Sequence, residues 1–231
     1  MRRSAGILAA LLVVVVLAGC GRPIRGKVER GIADAMPKTI GPAKSYRVSV
    51  SGSTLGMIRG NLDTMQIIGE DVQLPNGITL ANLTVNSRDI AFDRSKHTLS
   101  RVASTDFSAT LAECELNRYL VKMYPDAPAL GVELASGKLH IRACPMVAGL
   151  MATIKADAKL KIKQEHLLIL DLLKVTAVGI PTPGFAREYL ESKVNPIFDS
   201  SDLGYNARLS SVSIKPGSVT LSGSLDLTAP R

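Results

Sequence analysis

Cys20 has the setting that covalent lipid attachment requires. It ends the sequence Leu17-Ala18-Gly19-Cys20, in which small residues precede a thiol that can accept a diacylglyceryl group. Arg2 and Arg3 supply a basic start, and the apolar run of residues 7–17 is too short to cross a bilayer. We therefore predict that residues 1–19 are a lipoprotein signal peptide. Lipid on Cys20 would then hold the exported protein at the outer face of the bacterial cytoplasmic membrane or at the outer membrane. A plain secretory peptide, or a core helix that ends in cysteine, is the alternative.

The other reactive residues do not form a catalytic or metal-binding set. Cys114 and Cys144 would enter a compartment that permits disulfides, but a bridge between them depends on a geometry that the sequence does not give. The histidines are scattered at positions 97, 140 and 166, and the glycine-rich stretches match neither a nucleophile elbow nor a phosphate-binding loop. We predict that the protein is not an enzyme and holds no metal. No cofactor is expected beyond a bound phospholipid or fatty acyl ligand.

The composition favours an aliphatic interior that suits flexible acyl chains. The sequence has no tryptophan, five tyrosines and four phenylalanines, although 46% of its residues are hydrophobic. Specific small-molecule pockets usually add aromatic walls and convergent polar groups. Loss of Arg2 and Arg3 with the signal peptide would reduce the 28 basic residues to 26 against 20 acidic ones, a net charge of +6. We expect attraction to anionic membrane phospholipid, and we do not expect nucleic acid as a partner.

Charge and periodicity divide the chain into a signal peptide (1–19), an acylated basic tether (20–27) and one folded domain (28–231). Apolar spacing predicts a helix over residues 27–40, which Pro37 should kink or end early. From Tyr46 the pattern alternates, and strands are predicted at residues 46–50, 62–72, 78–85 and 89–92. Turn signals at residues 69–71, 75–77 and 86–88 indicate an antiparallel meander.

Residues 148–162 carry the clearest pattern, with small or aliphatic side chains at even positions and mostly charged ones between them. This alternation predicts one strand of fifteen residues with an apolar face and a charged face. A turn at residues 164–166 leads into a second apolar stretch, residues 167–178, and closes a long hairpin.

Further helices and hairpins are expected around this long hairpin. Apolar spacing predicts an amphipathic helix over residues 113–124, with Leu116, Leu120 and Met123 on one side. It predicts another helix over residues 184–194. A short hairpin joins residues 132–134 to 139–141, and a terminal hairpin joins 209–214 to 219–227. The fold class is therefore α+β, with antiparallel strands and amphipathic helices.

The order of these segments resembles the LmeA-type phospholipid-binding family of exported bacterial proteins. The resemblance spans most of residues 31–227. It rests on Gly52-Ser53-Thr54-Leu55-Gly56-Met57-Ile58-Arg59-Gly60, on Ala112-Glu113-Cys114-Glu115-Leu116-Asn117 with Leu120, on Ile180-Pro181-Thr182-Pro183, on Asn195-Pro196-Ile197-Phe198, on Leu203-Gly204, and on Gly217-Ser218-Val219-Thr220-Leu221-Ser222-Gly223.

The resemblance implies a single elongated domain akin to tubular lipid-binding proteins. A long curved antiparallel sheet would wrap around amphipathic helices and leave an apolar groove for acyl chains. The candidate groove residues are Leu55, Met57, Ile58, Leu150, Ile154, Leu160, Ile162, Leu168, Leu170, Phe185 and Tyr189.

Two hypotheses for function follow from these patterns. The first is a membrane-anchored envelope lipoprotein that binds phospholipid or another acyl lipid in this groove, with lipid transfer as an extension. The second is a non-catalytic structural or adaptor lipoprotein with a solid core that binds an envelope protein. A continuous apolar groove and co-purified lipid would distinguish the first from the second.

Overall fold

The computed structural model describes residues 24–93, 98–125, 129–144, 146–147, 150–178, 184, 187–188, 191, 195–203 and 206–227. Within these residues the protein is α+β, with antiparallel strands predominating over helices. The chain forms two compact units. The first contains residues up to 109, 203–207 and 223 onward, and the second contains residues 110–202 and 208–222.

The first unit combines an antiparallel sheet with two helices. Its elements are α1 (Ile24–Thr39), β1 (Ser45–Ser51), α2 (Thr54–Arg59), β2 (Asn61–Gln73), β3 (Thr79–Asp93), β4 (Thr98–Arg101) and most of β5 (Ser104–Ala112). The strands lie in the order β1-β2-β3-β5, and β4 pairs with β3. Helix α1 buries Val28, Ile32 and Met36, which are four residues apart and share one helix face. These side chains form a core with Val50 and Ile67 from the sheet.

Helix α1 extends beyond its predicted limits at the start and passes Pro37. It begins at Ile24, so residues 24–27 are helical and are not part of a tether. It continues to Thr39, two residues beyond Pro37, because the Ile40 N–H still donates to the Met36 carbonyl at 2.9 Å. The expected early end at Pro37 is therefore wrong.

Strands β2 and β3 form a longer hairpin than the turn signals predicted. The turn at residues 75–77 is confirmed, but residues 69–71 and 86–88 lie inside the paired strands. The second of these segments was mistaken for a turn because Ser87 is polar. Ser87 is instead a buried strand residue, and its hydroxyl forms a 3.0 Å hydrogen bond with the hydroxyl of Thr105. Polar residues that form hydrogen bonds inside the core therefore resemble turn residues in the sequence, although they lie in paired strands.

The second unit contains a five-stranded antiparallel sheet. Its elements are α3 (Glu113–Met123), β6 (Gly131–Ala135), β7 (Lys138–Ala143), β8 (Met146–Val147), β9 (Leu150–Met151), β10 (Thr153–Lys163), β11 (Leu167–Val178), β12 (Phe198–Asp199), β13 (Arg208–Lys215) and most of β14 (Ser218–Ser224). The five-stranded sheet has the order β12-β11-β10-β7-β6, while β8 pairs with β9 and β13 pairs with β14. The short β6–β7 hairpin is confirmed.

Of the fifteen-residue strand predicted at 148–162, the structure describes residues 150–162, which form two strands with different partners. Strand β9 pairs with β8, whereas β10 pairs with β7 and β11, and the chain changes partner at Ala152. Alternation continues through this change because Ala152 is fully buried, so the sequence pattern does not mark the break. The long hairpin itself is confirmed, and its turn at residues 164–166 places Gln164 and Glu165 at φ values of 55° and 60°.

Helix α3 and the terminal hairpin also match the sequence patterns in outline. Leu116 and Leu120 pack against the core of the second unit. Met123 lies on the same face of the helix, because it is three residues from Leu120, but it is exposed. Of the helix predicted at 184–194, the structure describes residues 184, 187, 188 and 191, all of which are helical. The last strand ends at Ser224, so the alternation that continues to Leu227 does not extend the strand.

Candidate functional site

One face of the β10–β11 hairpin is a continuous aliphatic surface. Strand β10 directs Ile154, Ala156 and Ala158 to this inner face, and β11 directs Leu170 and Leu172 to it. All five are buried in the core of the second unit, with Ile154 only 1% exposed. Because β10 spans eleven residues, the inner face runs for about 35 Å along the strand.

The inner face changes from buried to half-buried towards the hairpin turn. Leu160 and Ile162 continue the inward row of β10 but are only half-buried. Their partners across the hairpin are Leu170 and Leu168, both of which are buried. Leu160 packs against the core cluster, so the apolar surface is continuous from the core to this end. Among the described residues, this is the stretch where an acyl chain could replace solvent against aliphatic side chains.

Side chains from helix α3 close the β6 edge of this sheet. The Asn117 amide donates to the Val132 carbonyl at 2.7 Å and its oxygen accepts from the Val132 N–H at 2.6 Å. The Glu113 carboxylate accepts from the Leu134 N–H at 2.7 Å. Glu113 and Asn117 are four residues apart and so share one face of α3. Their side chains form the hydrogen bonds that a further strand would otherwise form with the backbone of the edge strand β6.

Asn195 forms the same kind of contact with the backbone of β11, on the other side of the strand order from β6. Its amide donates to the Leu170 carbonyl at 3.0 Å, and its oxygen accepts from the Leu170 N–H at 2.7 Å. Beside it, the Arg187 guanidinium donates to the Leu172 carbonyl at 3.0 Å. Asn117 and Asn195 lie in the motifs that resemble the family, but the motifs do not predict these contacts. Polar residues beside the apolar face of an amphipathic helix were the available signal.

The outer face of the β10–β11 hairpin is basic. Lys161 pairs with Asp171 at 2.7 Å, and Asp157 pairs with His140 at 2.8 Å. The remaining outward lysines of β10, at positions 155, 159 and 163, have no carboxylate partner among the described residues. They are spaced over eight residues, or about 26 Å of strand. This face therefore presents a row of uncompensated positive charges.

Helix α2 holds the other predicted groove residues, and they belong to the first unit. The glycine-flanked motif at residues 52–60 contains a six-residue helix in which Met57 is buried and Leu55 and Ile58 are exposed. Met57 packs in the core of the first unit with Val28. The three predicted groove residues of this helix therefore differ in environment: Met57 is a core residue, and Leu55 and Ile58 face solvent.

The remaining predicted site residues are placed as follows. Cys20, Phe185 and Tyr189 lie outside the described residues, as does the side chain of Leu150. Cys114 is exposed, Cys144 is half-buried, and both thiols are free, so the disulfide left open by the sequence is not formed. Across the described ranges, no three His, Cys, Asp or Glu side chains are grouped to hold a metal ion. Within the same ranges, every helix is too short or too polar to cross a membrane.

Shifted pKa values have local structural causes. Burial would raise the pKa of the Glu29 carboxyl, but hydrogen bonds from the Val50 N–H and the Arg25 guanidinium outweigh it and lower that pKa below its usual 4.5. Burial raises the pKa of Tyr46, whose hydroxyl donates to the Gly41 carbonyl at 2.8 Å. The Ser201 N–H lowers the pKa of the Asp199 carboxyl. Each of these groups stabilises a turn or a helix contact, so none indicates acid–base chemistry.

Comparison with known proteins decides the class of this chain. A family model described as LmeA-like phospholipid-binding matches residues 21–224. The chain belongs to this family. The match covers the sheet edges closed by Asn117 and Asn195, the aliphatic inner face and helix α2. Neither the curated proteins nor the solved structures gave a significant match. Membership in the family indicates lipid binding, which agrees with an aliphatic surface and a basic exterior.

Proposed function

We propose that this LmeA-like protein binds a phospholipid or another acyl lipid on the inner face of its second unit, and that lipid transfer extends this activity. The continuity of the aliphatic row from buried Ile154 to half-buried Leu160 and Ile162 is the observation that carries the proposal. Each methylene of an acyl chain that leaves water there would contribute about 0.8 kcal/mol. Such binding needs no specific polar contact, which suits an inner face of aliphatic side chains.

In the same proposal, the antiparallel sheet curves around the amphipathic helices and forms a groove for the acyl chains. The contacts of Asn117 and Asn195 support this arrangement because they hold helix α3 and the segment at Asn195 against two edges of one sheet. The basic outer face would attract the second unit to anionic phospholipid, at about 1 kcal/mol for each lysine near the surface. The protein would act by binding alone, without a catalytic step.

The test is whether purified protein carries lipid that depends on Leu160. We expect phospholipid in organic extracts of the purified full chain by mass spectrometry. Leu160→Asp should reduce the bound lipid about tenfold or more, because a carboxylate would face the acyl chain. The matched control is Thr176→Asp, which places the same charge on the exposed outer side of β11.

Thermal unfolding of both variants must show a folded protein for the comparison to hold. Repeated absence of lipid from the unaltered protein, with no uptake of a fluorescent acyl probe, would reject the groove. The adaptor function with a solid core would then be favoured. Equal loss of lipid from Leu160→Asp and Thr176→Asp would show that the added carboxylate does not act through the inner face.

We further propose that the protein is anchored by lipid on Cys20, outside the cytoplasm. The sequence Leu17-Ala18-Gly19-Cys20 supports this proposal because it combines small residues with an acceptor thiol after an apolar run. Cys20→Ala is expected to abolish metabolic labelling with palmitate and to change the membrane fraction in which the protein is found. Cys114→Ala, which removes a different thiol, should leave the labelling unchanged. Labelling that persists in Cys20→Ala would contradict the anchor.

A further inference from the structure

We propose that helix α2 is a bilayer-docking element, in which Leu55 and Ile58 insert among the head groups and upper acyl chains of the membrane. Leu55 is 56% exposed and Ile58 is 44% exposed, so two aliphatic side chains of one short helix face solvent together. This inference concerns the bilayer surface and not a lipid held on the inner face of the second unit. It takes from the proposed function only the anchor on Cys20.

Helix α2 presents its apolar pair rigidly. The Ser53 hydroxyl accepts from the Gly56 N–H at 3.0 Å at the start of the helix, and Gly60 ends it with φ at 87°. Leu55 and Ile58 are three residues apart and therefore lie on one face. Met57, on another face, is buried in the core of the first unit. The outward direction of the pair is thus fixed by packing behind it and by caps at both ends.

The position of α2 places this pair beside the start of the folded chain. The Glu29 carboxylate, in the first half of α1, accepts from the Val50 N–H at 3.0 Å, and Val50 lies four residues before α2. Val28 of α1 and Met57 of α2 share one core. Cys20 precedes Ile24, the first residue of α1, by four residues, or at most about 14 Å of chain. A lipid anchor on Cys20 would therefore hold the membrane close to this end of α1.

The charges around the pair fit an anionic lipid surface. Arg59 follows Ile58 directly and is exposed, with no carboxylate partner among the described residues. Arg25, on the first half of α1, is paired with the Glu29 carboxylate at 3.0 Å. This ion pair has no net charge, so Glu29 does not oppose an anionic surface, and Arg59 is, among the described residues, the free basic group beside Leu55 and Ile58. Aliphatic side chains beside basic ones are typical of elements that lie in a membrane interface.

Photo-crosslinking of the full chain in intact cells tests this inference. We expect p-benzoylphenylalanine placed at Leu55 or at Ile58 to form covalent adducts with phospholipid on illumination, detected by mass spectrometry. Val121 is the matched control position, because it is also an exposed aliphatic residue, at 62%, on a short helix of the described chain. Adducts with phospholipid at positions 55 and 58 should exceed those at 121 about tenfold or more.

A charge reversal provides the second measurement. Arg59→Glu should lower the phospholipid adduct at position 55 about fivefold or more, because it replaces attraction to anionic lipid with repulsion. Arg118→Glu, on exposed α3, is the matched control and should leave the adduct unchanged. Adducts with protein instead of phospholipid at positions 55 and 58, or yields no higher than at position 121, would overturn the inference. The extraction of lipid from the unaltered protein and from Leu160→Asp tests lipid binding on the inner face separately, so failure of that proposal can be distinguished from failure of this one.

Discussion

Ile154→Ala is expected to lower the free energy of unfolding by about 3 to 4 kcal/mol. Ile154 is 1% exposed near the buried end of the inner face, where it packs among side chains from several strands of the second unit. Its neighbours along β10 are Ala156 and Ala158, which are too small to fill the space that the truncation leaves. The loss therefore combines the transfer of buried carbons with a residual cavity. Chemical denaturation followed by circular dichroism measures it.

Ile162→Ala is the matched control, eight residues along the same strand and on the same face. Because Ile162 is half-buried, its truncation should cost only about 1 kcal/mol. The same variant should nevertheless reduce bound lipid if the half-buried end of the inner face receives an acyl chain. Equal destabilisation by the two truncations would mean that the inner face is uniformly packed, and that no part of it is available for lipid.

Gly41→Ala is expected to destabilise the first unit by about 4 kcal/mol or more, since it combines a severe clash with an unfavourable backbone conformation. Gly41 joins α1 to β1 at φ of 148°, and an added Cβ would lie 1.9 Å from the Gln73 carbonyl oxygen. Relief would require the chain to move away from β2. That movement would break the 2.8 Å bond from the Gln73 N–H to the Pro42 carbonyl and the 2.8 Å bond from the Tyr46 hydroxyl to the Gly41 carbonyl.

Gly137→Ala is the matched control, because it tests the cost of the backbone conformation without a steric clash. Gly137 has φ of 69° in the β6–β7 turn, and an added Cβ would meet no atom within 4 Å. Only the left-handed conformation opposes the substitution, at about 1 to 2 kcal/mol. Denaturant midpoints of the two variants should therefore differ widely. Similar midpoints would show that the approach of Gln73 to Gly41 does not constrain the fold.

The sequence predicted best those elements whose burial repeats regularly. The β10–β11 hairpin was found because small and aliphatic residues alternate with lysines, and each row indeed faces one side of the sheet. Helices α1 and α3 were found from their apolar spacing in the same way. The family was recognised from motifs at turns and helix starts, and the family match confirms it. Regular local patterns were sufficient for these predictions because they depend on near neighbours in the chain.

Elements that depend on distant partners could not be predicted. The break at Ala152 follows from the choice of β8 as a partner for β9, which alternation does not encode. The roles of Asn117 and Asn195 depend on backbone groups 15 and 25 residues away. The exposure of Leu55 and Ile58 was missed because an apolar residue in a short segment does not reveal which side of the helix meets the core.

The amide contacts at the sheet edges also bear on how copies of the protein meet. Where copies of a protein meet at high local density, strand exchange and aggregation are favoured. Exposed strand edges would then template pairing between molecules. The backbone groups of Val132 and Leu170 are already occupied by asparagine side chains, so at these two positions the sheet offers a neighbouring strand no free partner.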